Sequence, residues 1–103
     1  MIVEIADFLV QPGTAEDFVR ALEKGVATLI SKAKGFRRFE IQHGIESPER
    51  IVLILEWDTL ENHTVDFRGS PAFLQWRELI GPFFARPPQV EHFHRLCGSR
   101  AAS

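Results

Sequence analysis

At 103 residues, 45% hydrophobic and 25% charged, the chain has the length and composition of one globular domain, large enough to bury a real core. Twelve Lys and Arg against fourteen Asp and Glu leave a net charge of −2 with the signs interspersed, so neither nucleic acid nor a membrane surface is an expected partner. The start, MIVEIADFLV, is too short and too acidic for a secretion signal, and no apolar run nears the ~20 residues of a membrane span. A cytoplasmic location is therefore expected. Cys97 stands alone, which excludes an internal disulfide and a thiolate metal cage, and reads as a small filler or an exposed thiol.

Ile2–Val10 alternates, is rich in β-branched and aromatic residues, and stops at Pro12-Gly13, the pattern of a first strand and its turn. Thr14 is placed to cap a helix, with Glu16 and Asp17 in the first turn, where the helix dipole favours negative charge. Phe18, Leu22, Val26, Leu29 and Ala33 recur at helical spacing, and Lys34-Gly35 is the expected end. Phe36–Gly44 reads as a second strand, with Phe39, Ile41 and His43 on one face and Arg38, Glu40 and Gln42 on the other. Arg37-Arg38 reads as a charge pair guarding the strand edge.

After a turn at Glu46-Ser47-Pro48-Glu49, Ile51–Leu55 is unbroken aliphatic, which marks a strand apolar on both faces. Asp58 with Glu61 three residues on resembles a capping box, predicting a short helix that turns Leu60, His63, Thr64 and Phe67 to one side. Gly69 breaks it and Ser70-Pro71 starts another, where Phe73, Trp76, Arg77 and Ile80 adjoin. Gly81-Pro82 ends that helix, and Pro87-Pro88 leads into a last strand over Gln89–Cys97. Residues 1–97 form the expected domain and 98–103 a small, polar, flexible tail.

The order β-α-β-β-α-α-β predicts an α+β, ferredoxin-like split βαβ fold with a four-stranded antiparallel sheet and helices on one face. Such a sheet leaves its other face wet. Because Ile51–Leu55 is apolar on both sides, a second copy of the chain is the expected cover, giving a two-fold homodimer.

Pro12-Gly13, Gly35-Phe36, Trp57, Phe67, Ser70-Pro71-Ala72-Phe73 and Trp76 stand in an order that resembles the antibiotic biosynthesis monooxygenase (ABM) family of the dimeric α+β barrel superfamily. The resemblance implies a ferredoxin-like protomer, a dimer whose two sheets form a barrel, and a ligand cavity between sheet and helices. The branch it matches best oxidises phenolic or dihydroquinone intermediates to quinones with dioxygen and no metal, flavin or haem. On that resemblance Trp57 matches a cavity tryptophan, His63 stands where the branch has a tyrosine, and Arg77 where it has an arginine proposed to act on substrate. Leu53 replaces an asparagine and Ile41 a second tyrosine. The haem-degrading branch carries Asn, Trp and His where this chain has Ala6, Phe67 and Trp76, which argues against haem.

His63 lies on the helix face that looks toward the sheet, so its imidazole needs a partner or a cavity. It is either a core histidine satisfied by a carbonyl or a ligand-facing acid–base group. Arg77 either reaches solvent or holds an oxyanion. Trp57, Phe67, Trp76 and Leu53 are core residues or the walls of a site for a flat substrate. Deprotonating a phenol of pKa ~10 with a histidine of pKa ~6.5 is uphill by roughly 5 kcal/mol. A cation about 4 Å from the oxyanion at an effective dielectric of about 20 returns roughly 4 kcal/mol. His63 and Arg77 are therefore the expected catalytic pair, and one closed pocket lined by both is the main support the catalytic reading looks for.

His92-Phe93-His94 puts two imidazoles on one strand face and reads as rim or interface histidines, with no metal and no cofactor expected. Strand alternation allows His43 the same side of the sheet. The leading expectation is a cofactor-independent monooxygenase acting on a small aromatic molecule. A non-catalytic dimeric small-molecule-binding or stress-response domain, and an isomerase using His63 as base, share the same scaffold.

Overall fold

The computed structural model describes residues 1–99. Strands β1 (Ile2–Leu9), β2 (Phe36–His43), β3 (Arg50–Trp57) and β4 (Gln89–His94) form one antiparallel sheet in the order β2-β3-β1-β4. Helix α1 (Ala15–Thr28), a π-helix (Asn62–Phe67) and helix α2 (Pro71–Ile80) complete the expected ferredoxin-like order. Short 3-10 turns follow at Ile30–Lys32 and Gly81–Phe83. No helix among the described residues is long and apolar enough to cross a membrane.

Strand alternation decides which side chains meet the helices. Glu4, Ala6, Phe8 and Val10 of the first strand region are buried, and the register sets Glu4 beside Leu55, Ala6 beside Leu53 and Phe8 beside Ile51. On the other edge of β1, Glu4 faces His92 and Ala6 faces Val90. Phe18, Leu22 and Val26 of α1 pack onto this side, as their spacing predicts. Phe8, Phe18, Phe83 and Phe84 close one end of the core through centroid distances of 5.2–6.2 Å.

Gly25 is where α1 approaches α2. A Cβ there would stand 2.5 Å from Cζ3 of Trp76, so only glycine admits the indole, despite costing an α-helix about 1 kcal/mol relative to alanine.

Several boundaries differ from the sequence reading. Helix α1 ends at Thr28, because Leu29 leaves helical geometry at φ −120°, ψ −62°, and a 3-10 turn carries the chain on. Gly35 does take the left-handed conformation, φ +83°, but at the entry to β2. Thr14 occupies the cap position, yet its hydroxyl donates back to the Gln11 carbonyl at 2.7 Å and makes no bond to the helix. Strand β3 runs on to Trp57, and β4 stops at His94 rather than Cys97. Gly98 and Ser99 are exposed and without regular structure, and the rest of the expected tail lies outside the described residues.

The helix-free face is half apolar. Val3, Ile5, Leu9, Val52 and Ile54 are half-buried there and Phe93 is 45% exposed. Glu56 lies on the same side, nearly covered by Arg38 and Arg95, each 2.9 Å from Oε2.

Candidate functional site

The site is built around the π-helix. Thr59, not Asp58, opens it: the Thr59 N–H donates to Asn62 Oδ1 at 3.0 Å and the Asn62 N–H returns a bond to Thr59 Oγ1 at 3.1 Å. Asp58 instead pairs with Arg37 at 3.1 Å, while its backbone N–H donates to the Gly35 carbonyl. From there the turn is wide. The Arg68 N–H reaches the His63 carbonyl five residues back, at 3.1 Å, a spacing that recurs at functional sites. The widened turn buries Asn62, His63 and Phe67 and leaves Leu60 38% exposed. A 3.6-residue period put Leu60 with His63 and Phe67, and the extra residue per turn is why it does not belong there.

Beneath the π-helix, between sheet and α2, is a cavity of about 100 Å³. Trp57, Phe67, Trp76 and Leu53, the wall residues read from sequence, all line it, and so does His63. Arg77 does not. It is exposed, its guanidinium 5.9 Å from the centroid of the Phe73 ring on the outside of α2. Trp76 takes the inward position of that turn, and the next residue is rotated away by about 100°. The expected His63–Arg77 pocket is therefore not formed, and the arginine lining the cavity is Arg68.

Two further residues meet His63. Glu4 Oε1 accepts a hydrogen bond from Trp57 Nε1–H at 2.9 Å and lies 3.4 Å from His63 Nε2. On its other edge, His63 Nδ1 shares a proton with His92 Nε2 at 2.7 Å. The His63 ring is stacked on Trp57, with centroids 5.4 Å apart and planes 23° apart. Phe67 lies beyond it at 6.3 Å. His94, by contrast, is exposed at the end of β4. His43 Nε2 meets the Pro48 carbonyl at 2.6 Å, which ties the β2–β3 turn rather than any site.

Burial inverts the usual order of acid strength in this cluster. Desolvation pushes the Glu4 carboxyl up to about 7, against the smaller opposing pull of the Trp57 hydrogen bond and the Arg68 charge. Desolvation pushes His63 down to about 3, helped by Arg68 and then His92. His92 is lowered as well, by burial first and Arg68 second. Near neutral pH the two imidazoles are therefore uncharged and the carboxyl is the group poised to gain or lose a proton.

Sequence reasoning missed Glu4, Arg68 and His92 as a unit. For Glu4 a signal existed: it is an acid in the same alternating register as Ala6, Phe8 and Val10, which are core residues. His92 was singled out for its spacing to His94, whereas its partners come from β1 and the π-helix.

Fold and site define a small α+β domain with a ferredoxin-like sheet and an aromatic cavity holding an ionisable cluster. The model of one family, antibiotic biosynthesis monooxygenase, matches residues 1–79. The chain belongs to this family. It is 34% identical to the uncharacterised protein YczJ of Bacillus subtilis over 93 residues, covering 90% of this chain and 97% of the relative. Among solved structures, a Bordetella bronchiseptica protein assigned to the antibiotic biosynthesis monooxygenases is 41% identical, with a TM-score of 0.87 over 93% of this chain and 97% of that one. SnoaB of Streptomyces nogalater, described as a cofactor-independent oxygenase, shares the fold at a TM-score of 0.80 with 15% identity, over 94% of both chains.

Proposed function

We propose that the chain is a monooxygenase that oxidises a small phenolic or dihydroquinone-like molecule with dioxygen, without a bound cofactor. The observation that carries this reading is the aromatic cavity lined by Glu4, His63 and Arg68, with His92 hydrogen-bonded to His63. Its size favours a compact substrate. About 100 Å³ is well below the roughly 300–1,000 Å³ of pockets for drug-sized ligands, which points to a single ring. The family, and the description of SnoaB as a cofactor-independent oxygenase, support the reaction class.

The energetics choose the base. Removing the proton of a phenol of pKa ~10 with a group at about 7 is uphill by about 4 kcal/mol; with a group at about 3 the deficit is about 10 kcal/mol. Glu4 is therefore the proton acceptor and His63 its neutral hydrogen-bonding neighbour. Arg68 takes the part first expected of Arg77, since a cation about 4 Å from the phenolate in a dielectric of about 20 offsets about 4 kcal/mol.

The resulting ring anion gives one electron to dioxygen. Carbon radical and superoxide recombine to a peroxide at a ring carbon that in its keto form carries two hydrogens. Loss of water then leaves a carbonyl, so that CH₂ and O₂ become C=O and H₂O with no external reductant. We also assign the half-apolar helix-free face to a second copy of the chain.

Oxygen uptake with a panel of single-ring phenols and hydroquinones, in protein treated with EDTA, tests the reading. Glu4→Gln is expected to lower turnover by about 100-fold or more, the range for loss of a general base. Uptake unchanged in both Glu4→Gln and Arg68→Ala would remove this site from the reaction. Substrate turnover under nitrogen would instead identify proton transfer without oxygen.

A further inference from the structure

We infer that Glu4, His63 and His92 form a binding site for a first-row divalent transition metal ion. This goes beyond the oxidation reading and does not depend on it.

The donors come from β1, the π-helix and β4, and one ligand atom of each lies within 4.8 Å of the others. Two imidazoles and one carboxylate are a donor set suited to zinc and iron, and they leave coordination positions open. Glu4 and His63 line the cavity, so open positions beside them would face it.

The division of labour among the atoms supports the assignment. His63 Nδ1 and His92 Nε2 face each other at 2.7 Å, close enough to require a shared proton. A metal with bonds of about 2.1 Å holds neighbouring donors about 3.0–3.4 Å apart, so replacing that proton asks the rings to part by about half an ångström. His63 Nε2 then keeps its proton and faces Glu4 Oε1, 3.4 Å away. The same oxygen accepts from Trp57 Nε1–H. One Glu4 oxygen lies within 4.8 Å of a ligand nitrogen of each histidine, so the carboxylate can complete the donor set.

Arg68 opposes the incoming charge, so its removal should tighten binding.

The test uses full-length protein stripped with EDTA, dialysed, and titrated with Zn²⁺ by calorimetry and with Co²⁺ by visible absorption. One ion per chain is expected. His92→Ala should weaken Zn²⁺ by more than about 100-fold, beyond the 10–100-fold typical of partners that only orient a ligand. His94→Ala should bind like wild type. His92 is half-exposed, so its variant should fold, and circular dichroism checks this. If it does not fold, imidazole ¹⁵N shifts of wild-type protein replace it, and His63 and His92 should move with Zn²⁺ while His43 and His94 stay. No saturable uptake, uptake that survives in folded His92→Ala, uptake lost in His94→Ala, or shifts confined to His43 and His94 would overturn the inference. Oxygen uptake by the stripped protein separately decides the reaction.

Discussion

Replacing Glu4 by glutamine keeps an acceptor for Trp57 Nε1 and removes a carboxylate from a buried place. The groups facing that carboxylate are His63, His92 and Arg68. In the folded chain Glu4 titrates at about 7, against 4.5 in its unperturbed state. Below the lower value both folded and unfolded chains hold the proton and the burial costs nothing. As the pH rises through this window the unfolded chain loses its proton first, so stability falls until the folded value is passed. The gap is worth about 3 kcal/mol at about 1.36 kcal/mol per unit. Glu4→Gln should therefore be more stable than wild type by about 1 kcal/mol near pH 5 and about 3 kcal/mol near pH 8. His63 acts in the opposite sense, losing stability as the pH falls from its ordinary 6.5 toward about 3. It does so in both proteins and cancels in their difference. Urea unfolding of the two proteins in EDTA at both pH values measures the quantity. A difference that does not change with pH would refute a raised Glu4, and with it the choice of base. The expected pairing of greater stability with lost turnover is the usual cost of a functional carboxylate in a core.

Gly25→Ala should destabilise by about 1–2 kcal/mol, because overpacking against Trp76 outweighs the alanine's helix preference of about 1 kcal/mol; urea unfolding with indole emission reports it. Arg77→Ala should leave oxygen uptake within about twofold of wild type while Arg68→Ala lowers it by about tenfold or more, as expected for loss of a cation beside a developing anion. The reverse result would restore Arg77 to the site. Ile54→Glu, on the helix-free face, should convert a dimer to monomers in sedimentation equilibrium, and unchanged mass would show that the face is not the interface.

The architecture was legible because periodicity reports it directly. Alternation in Ile2–Val10 and the helical stripe from Phe18 to Val26 depend on which face is buried, and that is set by local geometry. The cavity walls were legible for the same reason, as Trp57 ends a strand and Trp76 sits on the inner side of α2. The ionisable cluster was only partly so. His63 could be placed on an inward face, but its contact with His92 spans 29 positions in the chain and comes from strand pairing, which no local pattern encodes. Helical spacing and family position point to Arg77, although it adjoins the buried Trp76 rather than replacing it. Arg68 closes the π-helix, bonded to the carbonyl five residues back, a spacing that a 3.6-residue period does not predict. Glu4 had a readable signal, an acid in a core register, but a carboxylate in a strand is usually assigned to solvent.

The wide turn at Asn62–Phe67 makes the site depend on chain length as well as on residue type. A π-helix is an α-helix carrying one residue more than its hydrogen bonding needs. Deleting one residue there would restore the tighter winding, which turns neighbouring side chains relative to one another by about 100° and shortens the path by about 1.5 Å. Sheet, α1 and Trp57 would be untouched, while His63 would lose its alignment with Glu4 and His92. A single codon lost or gained in this turn can thus switch the cluster off or on within an unchanged fold. In any relative, the number of residues between the strand-ending tryptophan and the Ser-Pro that starts α2 is a test of whether the cluster is assembled.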